Sequence, residues 1–306
     1  MHWHSLFFKP LLIVAILGIN GCTKKEAQIG SAERPVQFFL LPSVENEILE
    51  QSGAAIKSYL EQHTPYKFKI GVPTNYISVI EAFGSKRADV ASLNTFGYLL
   101  AHKKYGVEVK LTIERSGESK YQSAIIVNTK SKIGSLNELN NKKFAYVDPT
   151  SSSGYILPAK LLKDAGVKLK ETVFAQRHDN VISMVYQGQV DAGAIYYSPP
   201  ISGEIQDARR LVRSQYKDVE KKIQIIGLSQ QIPNDAIVFR SDLPQEIKEA
   251  VSEGLISFVS TPDGRAALEK TFTVTGFIKA TDKDYDVARK IFSEMGVDLD
   301  ELVRKK

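Results

Sequence analysis

Short apolar runs alternate along the chain with longer segments in which apolar residues recur at helical spacing. This alternation predicts an α/β fold built from strands and amphipathic helices. Strands are predicted at residues 36–41, 68–72, 89–93, 107–114, 122–128, 143–147, 171–175, 191–195, 222–228 and 236–240. Helices are predicted at residues 45–62, 78–83, 95–104, 136–139, 155–165, 181–187, 207–212, 245–259, 263–270 and 284–295.

The predicted elements form two successive sets, which are followed by a C-terminal part that packs on one of them. We predict a first lobe over residues 35–127, a second lobe over 128–230 and a final segment over 231–306. An open α/β sheet binds ligands beyond the carboxyl ends of its strands, and two facing lobes enclose a cleft. We therefore expect a ligand site between the lobes.

The N-terminal segment carries a predicted secretion signal over residues 1–21. Lys9 precedes an uncharged apolar run, 11–19, which is shorter than the roughly 20 residues that span a membrane and is typical of a signal peptide. The run ends in the letters INGC, which resemble a bacterial lipobox, where the chain is cut before the cysteine and the thiol is lipidated. We predict a lipid on Cys22 and a polar tether over 22–34. The alternatives are an uncleaved anchor, or an ordinary signal with a chance cysteine.

Composition excludes several classes of protein. The chain has 306 residues, of which 43% are hydrophobic and 25% charged, with 40 Lys and Arg against 35 Asp and Glu. These values are ordinary for a globular protein and exclude wholesale disorder and a multi-span membrane protein. The net charge of +5 is small and dispersed, so it does not predict nucleic-acid binding. The chain's one cysteine cannot form an intramolecular disulfide.

The segment DPTSSSGY carries the sharpest chemical signal, because it follows a predicted strand and opens a predicted helix. Thr150, Ser151, Ser152 and Ser153 offer four consecutive hydroxyls, and Gly154 follows them. The first amides of a helix are unpaired donors, and the helix dipole favours an anion there. We interpret the segment as an oxyanion cradle. The alternative is simple N-capping, which needs one hydroxyl rather than four.

Two further strand-to-helix junctions are candidates for the same cleft. Asn94 and Thr95 follow the strand at 89–93, and either can cap the next helix and expose its first amides. His178 can donate a hydrogen bond to an oxyanion, and Asp179 can orient its ring. At both junctions, capping without a ligand is the alternative.

Aromatic residues add weaker candidates for the lining of a pocket, namely Tyr76, Tyr196 and Tyr197. Each offers an apolar face and one polar tip, although packing alone also explains a tyrosine. The sequence has no GxSxG, HExxH or Walker motif, so we predict a binding protein rather than an enzyme, without cofactor or metal. The enzyme alternative, a phosphate-ester hydrolase, would have to use His178 with the neighbouring serines.

Four stretches resemble the phosphate/phosphite/phosphonate substrate-binding proteins of ABC importers, the phosphonate-binding periplasmic protein family. They are ADVASLNTFGYLLA, FAYVDPTSSSGYILPAKLL, HDNVISMVYQGQVDAGAIYYSPP and IPNDAIVFRSDLP, and their order and spacing agree with the family over most of the chain. The resemblance implies two Rossmann-like lobes of the type II periplasmic binding protein fold. Two crossing strands would join these lobes over one ligand, with the C-terminal segment returning to lobe 1.

The resemblance also implies roles for individual residues. The serines at 151–153 and the amides after them would hold the phosphorus oxyanion, with Thr150 shaping the turn and His178 donating to the same group. From the first lobe, Thr95 and Tyr98 would approach, with Tyr76 over the ligand. Asp191 or Asp235 would face the cleft. Relatives that take aminoalkylphosphonates hold the amine with carboxylates, whereas here the strand after Asp191 continues into tyrosines, which favours a smaller or neutral substituent.

Together these features predict a lipid-anchored, extracytoplasmic and monomeric solute-binding protein that delivers a phosphorus oxyanion to an ABC permease. A carboxylate of the cleft would select for a ligand that carries a proton, since sulfate has none to donate. Asp179, Asp191 and Asp235 are all candidates for that carboxylate. The alternatives are a sensor that feeds a membrane signalling protein, and a binder of a phosphorylated cofactor precursor such as a thiamine phosphate.

Overall fold

A computed structural model describes residues 1, 27–272 and 274–294 of the chain. Residues 2–21 of the predicted signal and the predicted lipidation site Cys22 lie outside the described residues. Within the described part, no helix is both long enough and apolar enough to cross a membrane.

The described elements follow the predicted alternation of strands and helices. The strands are β1 Val36–Phe39, β2 Phe68–Gly71, β3 Val90–Leu93, β4 Glu108–Arg115, β5 Lys120–Asn128, β6 Lys143–Tyr146, β7 Glu171–Phe174, β8 Ala192–Tyr197, β9 Ile223–Leu228, β10 Ile232–Pro233, β11 Ala236–Phe239 and β12 Val274–Lys279. The α-helices are α1 Asn46–His63, α2 Tyr76–Gly84, α3 Thr95–Tyr105, α4 Leu157–Asp164, α5 His178–Gln187, α6 Val219–Lys222, α7 Gln245–Ser260, α8 Pro262–Phe272 and α9 Asp286–Glu294. A π-helical turn, Ser152–Ile156, precedes α4, and short 3₁₀ turns lie at 129–131, 136–139, 208–212 and 282–285.

The first sheet has the strand order β12-β4-β11-β3-β1-β2. Its N-terminal strands β1, β2 and β3 pair in parallel, as βαβ units require, while β11 and β12 join antiparallel from the end of the chain. Helix α1 covers one face with Leu49, Ile56 and Leu60, which recur at helical spacing and are almost fully buried. The predicted return of the C-terminal part to the first lobe therefore matches the strand pairing.

The second sheet has the order β10-β5-β8-β6-β7, with β9 paired to β5. The chain crosses from the first sheet to the second between β4 and β5 and returns between β10 and β11. The first crossing is at residues 116–119, so the predicted boundary after residue 127 is corrected. The apolar pattern finds strand β5 but not its partners, and β5 pairs with β8 and β9 in the second sheet.

Several element limits differ from the sequence prediction. Strand β12 was missed, because its alternating residues are flanked by helices and give only a short signal. Helix α5 begins at His178 rather than at 181, which places the histidine in its first turn. Ends of helices are set by capping and local packing, and apolar periodicity does not report them.

Candidate functional site

A small cavity of about 20 Å³ lies between the two lobes, at the carboxyl ends of their strands. Both lobes contribute to it, as does the second crossing through Asp235. The lining residues are Leu41, Ser43, Tyr76, Asn94, Arg115, Tyr121, Ser151, Ser153, His178, Tyr196 and Asp235. Hydrogen bonds join the two lobes beside it, so the lobes are closed in this structure.

Four helices begin at this cavity. Tyr76 is the first residue of α2, Asn94 is the N-cap of α3, Ser151 is the N-cap of the π-helical turn that leads into α4, and His178 opens α5. Each helix N-terminus carries about half a positive charge from the aligned peptide dipoles of its helix. Two of these helices come from each lobe, so the cavity has a positive dipolar field without requiring a cationic loop.

The predicted cradle folds as a tight turn. Asp148 accepts hydrogen bonds from the backbone amide of Thr150 at 2.8 Å and from its hydroxyl at 2.6 Å. The Ser151 hydroxyl accepts from the Gly154 amide at 3.0 Å and so caps the helix. Residue 154 must be glycine, because a Cβ there would lie 2.4 Å from the side chain of Val147. Thr150 is thus held to Asp148 at the start of the turn by two hydrogen bonds.

Ser152 crosses the cleft rather than lining the cavity. Its hydroxyl accepts a hydrogen bond from the Phe96 amide at 2.8 Å and donates to the Asn94 amide oxygen at 2.9 Å. All three residues are buried. A second bond between the lobes runs from the His178 amide to the Ser43 carbonyl at 3.3 Å. Ser152 therefore ties the second lobe to the N-terminus of α3 in the closed form.

His178 is a neutral hydrogen-bond donor at the wall of the cavity. Burial, and to a smaller extent the charge of Arg115, lowers the pKa of His178 to about 3. The Nδ1 atom accepts from the Tyr196 amide at 3.3 Å, so the proton of the neutral ring resides on Nε2. The imidazole thus presents an N–H group without adding a charge.

Two buried polar atoms of the lining have no hydrogen-bond partner among the described residues. They are Nδ2 of Asn94 and the hydroxyl oxygen of Tyr196. Their residues are each 4% exposed. Buried polar groups are nearly always paired, because leaving one unpaired costs about 1–3 kcal/mol. Two such groups at one cavity indicate a site that is completed by a ligand with acceptor atoms.

Arg115 is the main lining residue that sequence reasoning missed. Its guanidinium pairs with the Asp235 carboxylate at 2.7 Å and donates to the side-chain oxygen of Asn234. It lies 5.3 Å from the ring centroid of Tyr121 and 6.0 Å from that of Tyr196. The cavity is therefore lined by a cation as well as by hydroxyl groups and helix N-termini.

The sequence does carry a signal for Arg115. Residues Val109, Leu111, Ile113 and Arg115 alternate on the buried side of β4. An arginine in phase with an apolar strand face is rarely buried unless it is paired. The alternation therefore identifies Arg115 as a buried arginine that needs a partner. It does not identify the partners, which come from the distant crossing at 234–235.

Two tyrosines and a serine form the remaining polar wall. Burial is the largest cause of the raised pKa of Tyr76, and a hydrogen bond with Ser43 opposes it. Burial likewise raises the pKa of Tyr121, opposed in part by Arg115. Both phenols therefore keep their protons at neutral pH. Tyr76 was predicted from the sequence, whereas Tyr121 and Ser43 were not.

Two predicted residues of the first lobe, Thr95 and Tyr98, are not among the residues that line the cavity. The Tyr98 hydroxyl donates to Asp282 at 2.7 Å and lines a different groove of the first lobe. The Thr95 hydroxyl donates to the Pro233 carbonyl at 2.7 Å, in the second crossing. Helical periodicity does not tell which face of α3 meets the cleft, because α3 is buried almost all round.

Three predicted residues of the second lobe also lie away from the cavity lining. The Asp179 carboxylate pairs with Arg177 at 3.1 Å. Asp191 accepts from the backbone amide of Lys143 at 2.8 Å and so joins two strand ends. Tyr197 follows Tyr196 on β8 and points to the opposite face of the sheet, as adjacent strand residues do. Among the three candidate carboxylates, the one at 235 lines the cavity.

Comparison with known proteins agrees with this architecture. Residues 38–285 match the family model described as "ABC transporter, phosphonate, periplasmic substrate-binding protein". The chain is 23% identical over 247 residues to the phosphonates-binding periplasmic protein of Escherichia coli, covering 78% of this chain and 70% of that protein. It is 25% identical over 283 residues to the phosphate-import protein PhnD of Mycolicibacterium smegmatis, covering 84% of each.

Solved structures confirm the predicted fold. PhnD1 of Prochlorococcus marinus in complex with methylphosphonate superposes with a TM-score of 0.74 at 18% identity, over 86% of this chain and 98% of that one. A binding protein component of an ABC phosphonate transporter from Pseudomonas aeruginosa gives the same TM-score at 20% identity, over 89% and 90%. The matched segment and the two-lobed fold show that the chain belongs to the periplasmic substrate-binding protein family of ABC phosphonate transporters.

Proposed function

We propose that this chain is the lipid-anchored, extracytoplasmic solute-binding component of an ABC importer, and that it holds a small phosphorus oxyanion in the cavity between its lobes. The ligand class is a phosphonate, phosphite or phosphate. One observation carries the proposal: helix N-termini from both lobes converge on a closed cavity that contains two unpaired buried donors.

The charge and donor set of the cavity fit an oxyanion. Four helix N-termini at about half a charge each can offset much of the charge of a dianion. Neutral donors from Asn94, Tyr196 and His178 surround the same space. The names of the relatives, which refer to phosphonate, phosphite and phosphate, support the same class.

Asp235 provides a means of rejecting sulfate. Its carboxylate lines the cavity and accepts from Arg115 through Oδ2, which leaves lone pairs for a second donor. A hydrogen phosphate ion has a hydroxyl group that can donate to this carboxylate. Sulfate has no proton to give at neutral pH, so its oxygens would face a like charge. The site therefore accepts a protonated oxyanion in preference to sulfate.

Calorimetric titration of the domain from residue 27 onward tests this proposal. At least one of phosphate, phosphite and methylphosphonate should bind, with sulfate about 100-fold weaker because a like-charge contact costs several kcal/mol. Asp235→Asn should reduce the ratio between the affinity for the phosphorus oxyanion and the affinity for sulfate. Asp263→Asn is the control, because Asp263 is exposed in α8 and the substitution removes the same charge. It should leave the ratio of these two affinities unaltered. Absence of binding by all three phosphorus oxyanions, in protein shown to be free of carried-over ligand, would refute the ligand class.

The tether is tested separately, in the full-length chain. The proposal predicts that wild-type protein sediments with membranes, and that Cys22→Ser releases it to the soluble fraction or leaves it as an uncleaved precursor. An unchanged distribution and mass in the variant would contradict lipidation. Ligand binding by the soluble domain does not depend on this result.

The proposed role is binding without turnover. Hinge closure would be favoured by ligand contacts made with both lobes. The enzyme alternative predicts release of a chromophore from a chromogenic phosphate ester, and that assay separates the two functions.

A further inference from the structure

A salt bridge between Arg115 and Asp235 forms part of the cavity wall. The two groups pair at 2.7 Å, and their side chains are 4% and 14% exposed. Burial keeps Tyr76, Tyr121 and Tyr196 protonated by raising the pKa of each. The wall therefore presents a carboxylate that is already paired with a guanidinium and has lone pairs left for a further, uncharged donor.

The guanidinium is fixed in this position by the second crossing. Asn234 is fully buried; its side-chain oxygen accepts from Arg115, while its Nδ2 donates to the Glu118 carbonyl at 2.8 Å. The rings of Tyr121 and Tyr196 flank the guanidinium. These contacts hold the guanidinium against the carboxylate at one wall of the cavity. The neutral state of His178 reflects the charge of Arg115 in part.

We propose that Arg115 determines ligand specificity by denying Asp235 to an ammonium group, so that the cleft takes phosphorus oxyanions with an uncharged substituent. This inference rests on the proposed function. An ammonium group that approached Asp235 would meet the charge of Arg115 at the same wall, and like charges in a desolvated site repel strongly. A hydroxyl group on phosphorus is uncharged and is not subject to that repulsion.

Two ligands of the same shape isolate this charge effect. Ethylphosphonate and aminomethylphosphonate differ only in the replacement of a methyl group by an ammonium group. Their affinities are measured by calorimetry, with phosphate as a reference, for wild type, Arg115→Gln, Arg115→Lys and Lys120→Gln. Lys120 follows the first crossing, at the start of β5, and is exposed. Its variant is therefore the matched control for the loss of a positive charge.

Wild type should bind ethylphosphonate at least about tenfold more tightly than aminomethylphosphonate. Arg115→Gln should reduce that ratio about tenfold, because it frees the carboxylate for the ammonium group. Arg115→Lys, which keeps the charge, should preserve the ratio, as should Lys120→Gln. A ratio that does not change in Arg115→Gln would show that the arginine has only a structural role and would overturn the proposal.

The remaining outcomes are also decisive. If Arg115→Gln does not fold, Asp235→Asn is measured in its place. Without the carboxylate, aminomethylphosphonate should bind no more tightly than it binds wild type. An affinity for aminomethylphosphonate that rises relative to that for ethylphosphonate would overturn the proposal. If wild type binds phosphate but neither phosphonate, the cleft excludes the phosphonates by size and not by charge. That result also overturns the proposal. Wild type that binds no phosphorus oxyanion at all refutes the proposed function instead.

Discussion

Replacement of Ser152 by alanine should weaken closure of the lobes without changing which ligand is preferred. The hydroxyl lies outside the cavity lining and bridges the lobes, accepting from the Phe96 amide at 2.8 Å and donating to Asn94 at 2.9 Å. In Ser152→Ala, the buried amide of Phe96 loses its acceptor in the closed form. In the open form, water can satisfy that amide. The substitution therefore penalises closure selectively.

The size of the effect follows from the geometry. A buried donor left unpaired costs about 1–3 kcal/mol. That penalty corresponds to a change of roughly 5- to 150-fold in an equilibrium constant. Since closure is part of binding, the affinities for phosphate and methylphosphonate should fall by the same factor. The radius of gyration with no ligand present should also rise if the closed form is populated.

The assay combines calorimetric titration with small-angle X-ray scattering. Ser135→Ala is the matched control, because Ser135 is an exposed N-cap residue whose side chain makes no capping hydrogen bond. Affinities of Ser152→Ala within twofold of wild type would refute the bridging role. Loss of affinity for one ligand and not the other would instead place the Ser152 hydroxyl on the ligand.

Two further substitutions test the cradle and the histidine. Gly154→Ala should destabilise the fold by about 1–3 kcal/mol, because its Cβ would lie 2.4 Å from Val147. Thermal unfolding should show a lower midpoint temperature for this variant. The control is Gly134→Ala, whose Cβ would have nothing within 4 Å and which should unfold as wild type does. His178 is neutral when folded, with a pKa of about 3, against an ordinary value of 6.5 in the unfolded chain. Below pH 6.5 the unfolded state therefore binds the extra proton, and His178 should cost wild type about 1.4 kcal/mol per pH unit as the pH falls towards 3. Urea unfolding of wild type and His178→Gln between pH 7 and 4.5 measures this, and parallel stability curves would contradict a neutral buried histidine.

The sequence predicted the fold well, because periodicity reports burial and burial defines the elements. Strand β3 and helix α3 were located within a residue or two, and the junction between them led to Asn94. The DPTSSSGY turn was found because its chemistry is local. A run of hydroxyls at a helix start can be recognised without knowledge of what lies opposite.

Contacts between distant segments could not be predicted in the same way. Arg115 reaches Asp235 across 120 positions of sequence, and Ser152 reaches Phe96 across 56. The partner of Tyr98, Asp282, likewise comes from the C-terminal return of the chain. Which residues of a junction face a cleft depends on the opposite lobe, and no local pattern encodes that.

A crystal structure of the domain grown with methylphosphonate tests the central claim most directly. The account predicts phosphonate density in the cavity between the lobes, with an oxygen within hydrogen-bond distance of Asn94 Nδ2 and another near the Tyr196 hydroxyl or His178 Nε2. Density at that place, with both lobes in contact, would establish the site. A cavity without ligand at saturating methylphosphonate, phosphate and phosphite, or a ligand held by one lobe elsewhere, would contradict it.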